Sequence, residues 1–120
     1  MIDHVTLHVR DYSKAKAFFS AALKPLGYEL VMEFEGAAGL GAGGKPDLWL
    51  TGDATAQPIH LAFHARDRKT VDAFHVAALA AGGKDNGKPG LREDYHPSYY
   101  AAFVIDPTGH NVEVVCHKPV

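Results

Sequence analysis

Eight histidines in 120 residues are the first chemical feature of this chain, and two of them stand at matching places. His4 opens the run HVTLHV and His60 opens HLAFHA, each followed four residues later by another histidine, His8 and His64. A carboxylate, Glu113, sits in the run NVEVVCH near the other end. Two neutral imidazoles and a carboxylate are a donor set for Zn²⁺, Fe²⁺, Mn²⁺, Co²⁺ or Ni²⁺, with coordination positions left open for water or a substrate. The three groups are far apart in sequence and form no local motif, so this chemistry depends on a fold that gathers them on one face. The competing reading is that each histidine is a surface or hydrogen-bonded strand residue and Glu113 a solvated charge.

The elements that must position them are visible in a duplication. Laid on the segment from His60, at an offset of 56, HVTLHVRDYSKAKAFFSAALKPLG matches HLAFHARDRKTVDAFHVAALAAGG without a gap. Both copies begin with an alternating run: Val5, Leu7 and Val9, or Leu61 and Phe63, fall on one side and the histidines on the other. A helix follows, capped by Asp11 or Ser13 in the first copy and by Asp67 or Thr70 in the second. Apolar stripes (Ala15, Phe18, Phe19, Ala22, Leu23, Leu26; then Val71, Phe74, Ala78, Leu79) lay each helix on its sheet, and Gly27 and Gly82-Gly83 end the helices. Extended runs come next: Glu29 to Phe34, a turn-rich Gly36 to Pro46, and Asp47 to Thr51. In the second copy they are a looser Asp85 to Asp94, Tyr99 to Ile105, the turn Asp106-Pro-Thr-Gly109, and Asn111 to His117. The expected fold is therefore α+β: two βαβββ modules, residues 1–53 and 58–120 of a single domain, joined by a linker at Ala54 to Pro58. They form a cupped mixed sheet with the helices on its convex face.

Strand parity then sorts the side chains. His4, Thr6 and His8 form one row, and His60, Ala62 and His64 the equivalent row, on the concave side. In the last strand Asn111, Glu113, Val115 and His117 share a row, which brings Glu113 to the histidine face. Trp49 falls with Asp47 and Thr51 on the same side. On these residues alone, metal binding and an inherited scaffold position remain alternatives for the His4/His60 pair.

The bulk composition excludes several functions. A net charge of −2, with twelve basic residues scattered among fourteen acidic ones, offers no stripe for a phosphate backbone, so no nucleic-acid partner is expected. No stretch approaches the roughly 20 apolar residues of a membrane span, and MIDHVTLHVRD lacks the apolar run of a signal peptide, so no membrane association and a cytoplasmic location are expected. The lone Cys116 reads as a small hydrophobe on a strand.

The runs IDHVTLHVRDYSKAKAFF, IHLAFHARD and FVIDPTGHNVEVV resemble the glyoxalase, bleomycin-resistance and extradiol-dioxygenase superfamily, the vicinal oxygen chelate proteins, over nearly the whole chain. The resemblance implies one divalent metal ion held by His4, His60 and Glu113. It also implies a small-molecule substrate bound through vicinal oxygens, and a homodimer whose modules pair either within one chain or by exchange between two, the metal lying between subunits in the second case. Metal-dependent lyase, isomerase, transferase or dioxygenase activity would follow. Trp49 stands where glyoxalase I has a fourth ligand, a Glu, which argues against a lactoylglutathione lyase. The alternative is a metal-free, antibiotic-resistance type of binding protein with an apolar cup. Catalytic candidates are His8, His64 and Thr6; substrate-binding candidates are Trp49 and, in the segment LREDYHPSYY, Arg92, Tyr95, His96, Tyr99 and Tyr100.

Overall fold

A computed structural model describes all residues 1–120. The first half runs β1 (Val5–Val9), α1 (Tyr12–Ala22), a 3₁₀ turn at Lys24–Leu26, β2 (Glu29–Phe34), β3 (Ala37–Gly41) and β4 (Leu48–Gly52). The second runs β5 (His60–His64), α2 (Arg68–Ala80), β6 (Lys84–Leu91), β7 (Tyr100–Ile105) and β8 (Asn111–Cys116). Each half forms its own four-stranded mixed sheet, in the orders β1-β4-β3-β2 and β5-β8-β7-β6, with the first pair in each order parallel and the rest antiparallel. The anticipated α+β architecture with two βαβββ units is present, but no hydrogen-bonded strand pair joins the sheets, so the concave surface is divided in two.

Local chemistry explains the elements. Asp11 and Asp67 are the N-caps, their carboxylates accepting from the backbone N–H of Lys14 and Thr70 at 3.1 and 2.8 Å. Gly27, at φ 87°, supplies the left-handed residue after the 3₁₀ turn. α1 lies on β4, α2 lies on β6, β7 and β8, and the helices touch each other. Phe18, Phe19 and Phe74 are fully buried there within one core that draws on both halves, each contributing roughly 1.5–3 kcal/mol by burial. Gly83 admits this packing: a Cβ would lie 2.4 Å from Val104 and 2.9 Å from Phe18.

Two of the expected extended runs are sharpened and one expectation, the placement of Leu79, is revised. The turn-rich stretch from Gly36 contains a real strand, β3, whose Ala-Ala-Gly-Leu-Gly has no alternating pattern to announce it. The loose region from Asp85 is the eight-residue β6, interrupted by register shifts around Gly87. Leu79, placed on the buried stripe of α2, is exposed, whereas His75 is buried and pairs with Asp85 at 3.0 Å. No helix is long and apolar enough to cross a membrane.

Candidate functional site

Parity places the expected side chains on the concave faces. Leu7 and Val9 are buried against the helices while Thr6 and His8 are exposed on the opposite side, and β5 repeats this with Leu61 and Phe63 against Ala62 and His64. Thr6 pairs with Trp49 and Ala62 with Glu113, so Trp49 and Glu113 occupy the same register position in the two sheets.

The second sheet gathers a polar cluster. Glu113 is only 1 % exposed. Its Oε1 accepts from His60 Nε2 at 2.7 Å and its Oε2 accepts the hydroxyl of Tyr99. Burial, then the Glu113 hydrogen bond, push the Tyr99 phenol up to about 12, so it remains a donor across the ordinary pH range. Phe103, opposite Glu113 on β7, carries the Arg92 guanidinium 5.3 Å above its ring. That guanidinium is held by the carbonyls of Gly90 and Lys88, both at 2.9 Å. Farther along the face His117 is ringed by His64 (stacked, 6.0 Å), His96 (edge-on, 6.1 Å) and Tyr99 (edge-on, 5.2 Å), and Tyr95 packs edge-on against Tyr99.

The first sheet is a different surface. Trp49 stacks on Phe34 with ring centroids 6.1 Å apart and an interplanar angle of 10°, and Phe34 is 62 % exposed. The indole lies flat because Gly39 faces it: a Cβ there would meet Trp49 Cη2 at 2.9 Å. At one end of this face the Nδ1–H of His4 donates to Asp3 Oδ1 at 2.8 Å, an assignment required because a carboxylate only accepts, and Nε2 is left free. At the other end His8 Nδ1 lies 3.3 Å from Asp53 Oδ2, and Asp53 also accepts from Thr55 N–H and Oγ1–H at 2.9 and 2.7 Å. These Thr55 contacts hold the Asp53 carboxyl below its usual range, with a smaller contribution from His8. Thr6, His8, Asp53 and Gln57 line a cleft of about 370 Å³ here.

Buried His110 fastens the two halves together. Its Nδ1 accepts Ile59 N–H at 3.0 Å and its Nε2–H donates to the carbonyl of His8 at 2.8 Å, so the ring is a neutral tautomer with both nitrogens in use.

His60 and Glu113 are thus brought together, and His4 is not joined to them: within one chain no three His, Cys, Asp or Glu side chains converge as an ion-holding group. Trp49, Thr6, His8, His64, Arg92, Tyr95, His96 and Tyr99 lie on or beside the concave faces. Tyr100 does not. It pairs with buried Cys116, its hydroxyl donates to Asp72 of α2 at 2.6 Å, and Arg68 covers its ring, because parity sends it to the face opposite Tyr99, Ala101 and Phe103. Sequence reasoning had not singled out Asp3, Phe34, Asp53, Phe103, His110 or His117. His117 was detectable in the row of Glu113. Phe34 was hidden by the register shift between Leu30 and Met32.

The model of the Glyoxalase/Bleomycin resistance protein/Dioxygenase superfamily matches residues 1–114. Among solved structures, a glyoxalase/bleomycin resistance protein from Albidiferax ferrireducens T118 is 25 % identical, with TM-score 0.80 and 97 % of each chain covered. A glyoxalase/bleomycin resistance protein/dioxygenase family enzyme from Burkholderia phytofirmans PsJN is similar in fold at 17 % identity, with TM-score 0.74 and 98 % of each chain covered. So is a lactoylglutathione lyase from Agrobacterium tumefaciens, at 22 % identity and TM-score 0.71, with 97 % of this chain and 92 % of that one covered. No curated protein matches the sequence.

Proposed function

Because the chain belongs to the glyoxalase/bleomycin resistance protein/dioxygenase superfamily, we propose that it is a divalent-metal-dependent enzyme acting on a small oxygenated substrate, with His4, His60 and Glu113 as the ligands. The observation that carries this reading is the buried Glu113 carboxylate facing the His60 imidazole at 2.7 Å on a concave surface. A carboxylate this deeply buried, without a lysine or arginine partner, suits a site completed by a cation. His4 fits the remaining place: Asp3 holds its Nδ1 and leaves Nε2 as the ligating nitrogen, an outer hydrogen bond common to metal-bound imidazoles. The donor set admits Zn, Fe, Mn, Ni or Co.

His4 would come from a second copy of the chain, in a homodimer whose halves complete each other's sites. Support comes from the divided sheet and from the failure of the three side chains to converge within one chain. The ion would supply Lewis acidity to a developing negative charge. Trp49 and Phe34 would cover the substrate's carbon skeleton, and Arg92, fixed by two carbonyls, would present positive charge. His8, backed by Asp53, is the proton acceptor we favour over His64, which stacks on His117 and has no carboxylate partner. With Trp49 in the register position of Glu113, lyase, isomerase, transferase or dioxygenase chemistry is open, but not that of a typical lactoylglutathione lyase. We place this activity in the cytoplasm.

The test is elemental analysis of protein purified without chelator and reloaded with each of the five ions. Wild type should hold one ion per chain and His60→Ala none; an unloaded wild type rejects the proposal. A second reading, metal-free binding of an apolar ligand, draws on the exposed Phe34/Trp49 stack. It predicts tight ligand binding that survives exhaustive chelation.

A further inference from the structure

Glu113 accepts two side-chain hydrogen bonds, one on each oxygen. Oε1 faces His60, and Oε2 takes the Tyr99 hydroxyl. Tyr99 is itself held from several directions. Its N–H donates to the carbonyl of His96, its carbonyl accepts from Arg92 N–H at 2.7 Å, and the rings of Tyr95 and His117 pack edge-on against it. The phenol therefore has little freedom to leave the carboxylate for a passing ligand.

We infer that Tyr99 is a positioning residue: by holding Oε2 of Glu113 it keeps Oε1 turned toward His60, the neighbouring group of the proposed ion site. The inference rests on the ion site proposed above and adds to it the residue that orients its carboxylate. It also takes the Tyr99 hydroxyl away from direct substrate binding, the role its sequence position suggested.

The first sheet supplies an internal comparison. Gly39 stands opposite Trp49 as Phe103 stands opposite Glu113, and four residues before them lie Glu35 and Tyr99. Where the register position holds an indole, the corresponding residue is an exposed glutamate; where it holds a carboxylate, the corresponding residue is the phenol that binds it. A neutral hydroxyl suits the task because it donates one hydrogen bond and adds no charge to compete with the ion.

The experiment compares Tyr99→Phe, Tyr12→Phe and wild type by Zn²⁺ competition against a chromophoric chelator, and by the visible absorption of the Co²⁺-loaded proteins. Loss of an outer hydrogen bond of this kind weakens metal affinity roughly 10–100-fold. That loss, with an altered Co²⁺ spectrum, is expected for Tyr99→Phe, and no change for Tyr12→Phe, whose hydroxyl donates to Glu33 at 2.7 Å and not to Glu113. Affinity within twofold of wild type for Tyr99→Phe, or equal loss in both variants, overturns the inference. If wild type takes up no ion, the proposed function fails by itself. The lock is then read in the ion-free protein, where Tyr99→Phe must shift the His60 ring resonances in an NMR spectrum as Glu113 reorients; unshifted resonances overturn it.

Discussion

The two concave faces descend from one repeated plan and have been filled in opposite ways. Around the shared register position the first has Trp49, Phe34 and Gly39, and the second has Glu113, Tyr99 and Phe103 with Arg92 above it. At the far ends, His8 carries a carboxylate partner while His64 stacks on another imidazole. The contrast shows how a duplicated sheet separates its labours. One copy keeps the charged group and the hydrogen bonds that hold it, and the other gives up its polar position to an aromatic surface, while the strands beneath retain the same register.

The largest effect is expected where that contrast is erased. Glu113→Ala should abolish ion loading. It should also destabilise the chain by about 1–3 kcal/mol in urea unfolding, because the donors of His60 and Tyr99 lose their acceptor. Loss of loading without loss of stability would show that the carboxylate plays no part in holding its own face together. Next comes the fastener between the faces. His110→Ala removes the bonds to Ile59 and His8, with an expected cost of roughly 2 kcal/mol by the same assay.

On the aromatic side, Gly39→Ala should push the indole off the sheet at about 1–3 kcal/mol, with a red-shifted Trp49 fluorescence maximum. An unmoved maximum would mean the stack does not depend on that glycine. The smallest effect is on the titration of Tyr99, held up at about 12 by burial and Glu113. A raised tyrosine pKa contributes stability that is complete below the ordinary value of 10 and is lost as pH climbs through 12. Tyr99→Phe should therefore flatten the alkaline decline in stability between pH 10 and 12.

Much of this was legible in the chain, and for physical reasons. The duplication and the period of two placed Thr6, His8, Ala62 and His64 opposite the helices, and the same period brought Glu113 to their side. Parity was harder to apply where the backbone departs from it. The register shift between Leu30 and Met32 brings Met32 and Phe34 opposite Gly39 and Ala37, which could not be counted from either end of the run. Tyr99 and Tyr100 are neighbours in sequence, yet one holds Glu113 and the other bonds Asp72 on the helix side. His8 meets Asp53 only because the chain after β4 turns back at Thr55, a contact no periodicity encodes. Nor does sequence spacing say whether His4 completes a site within its own chain.

That last point is open to a direct measurement. His4→Ala and His60→Ala chains are loaded with Zn²⁺ separately, then mixed, unfolded, refolded and loaded again. Each variant alone should hold no ion. If the site is shared between copies, half of the refolded dimers pair the two variants and regain one intact site of two, so zinc returns to about a quarter of the wild-type content. A mixture that stays empty while wild type loads fully would contradict a site built from His4 of one chain and His60 and Glu113 of another.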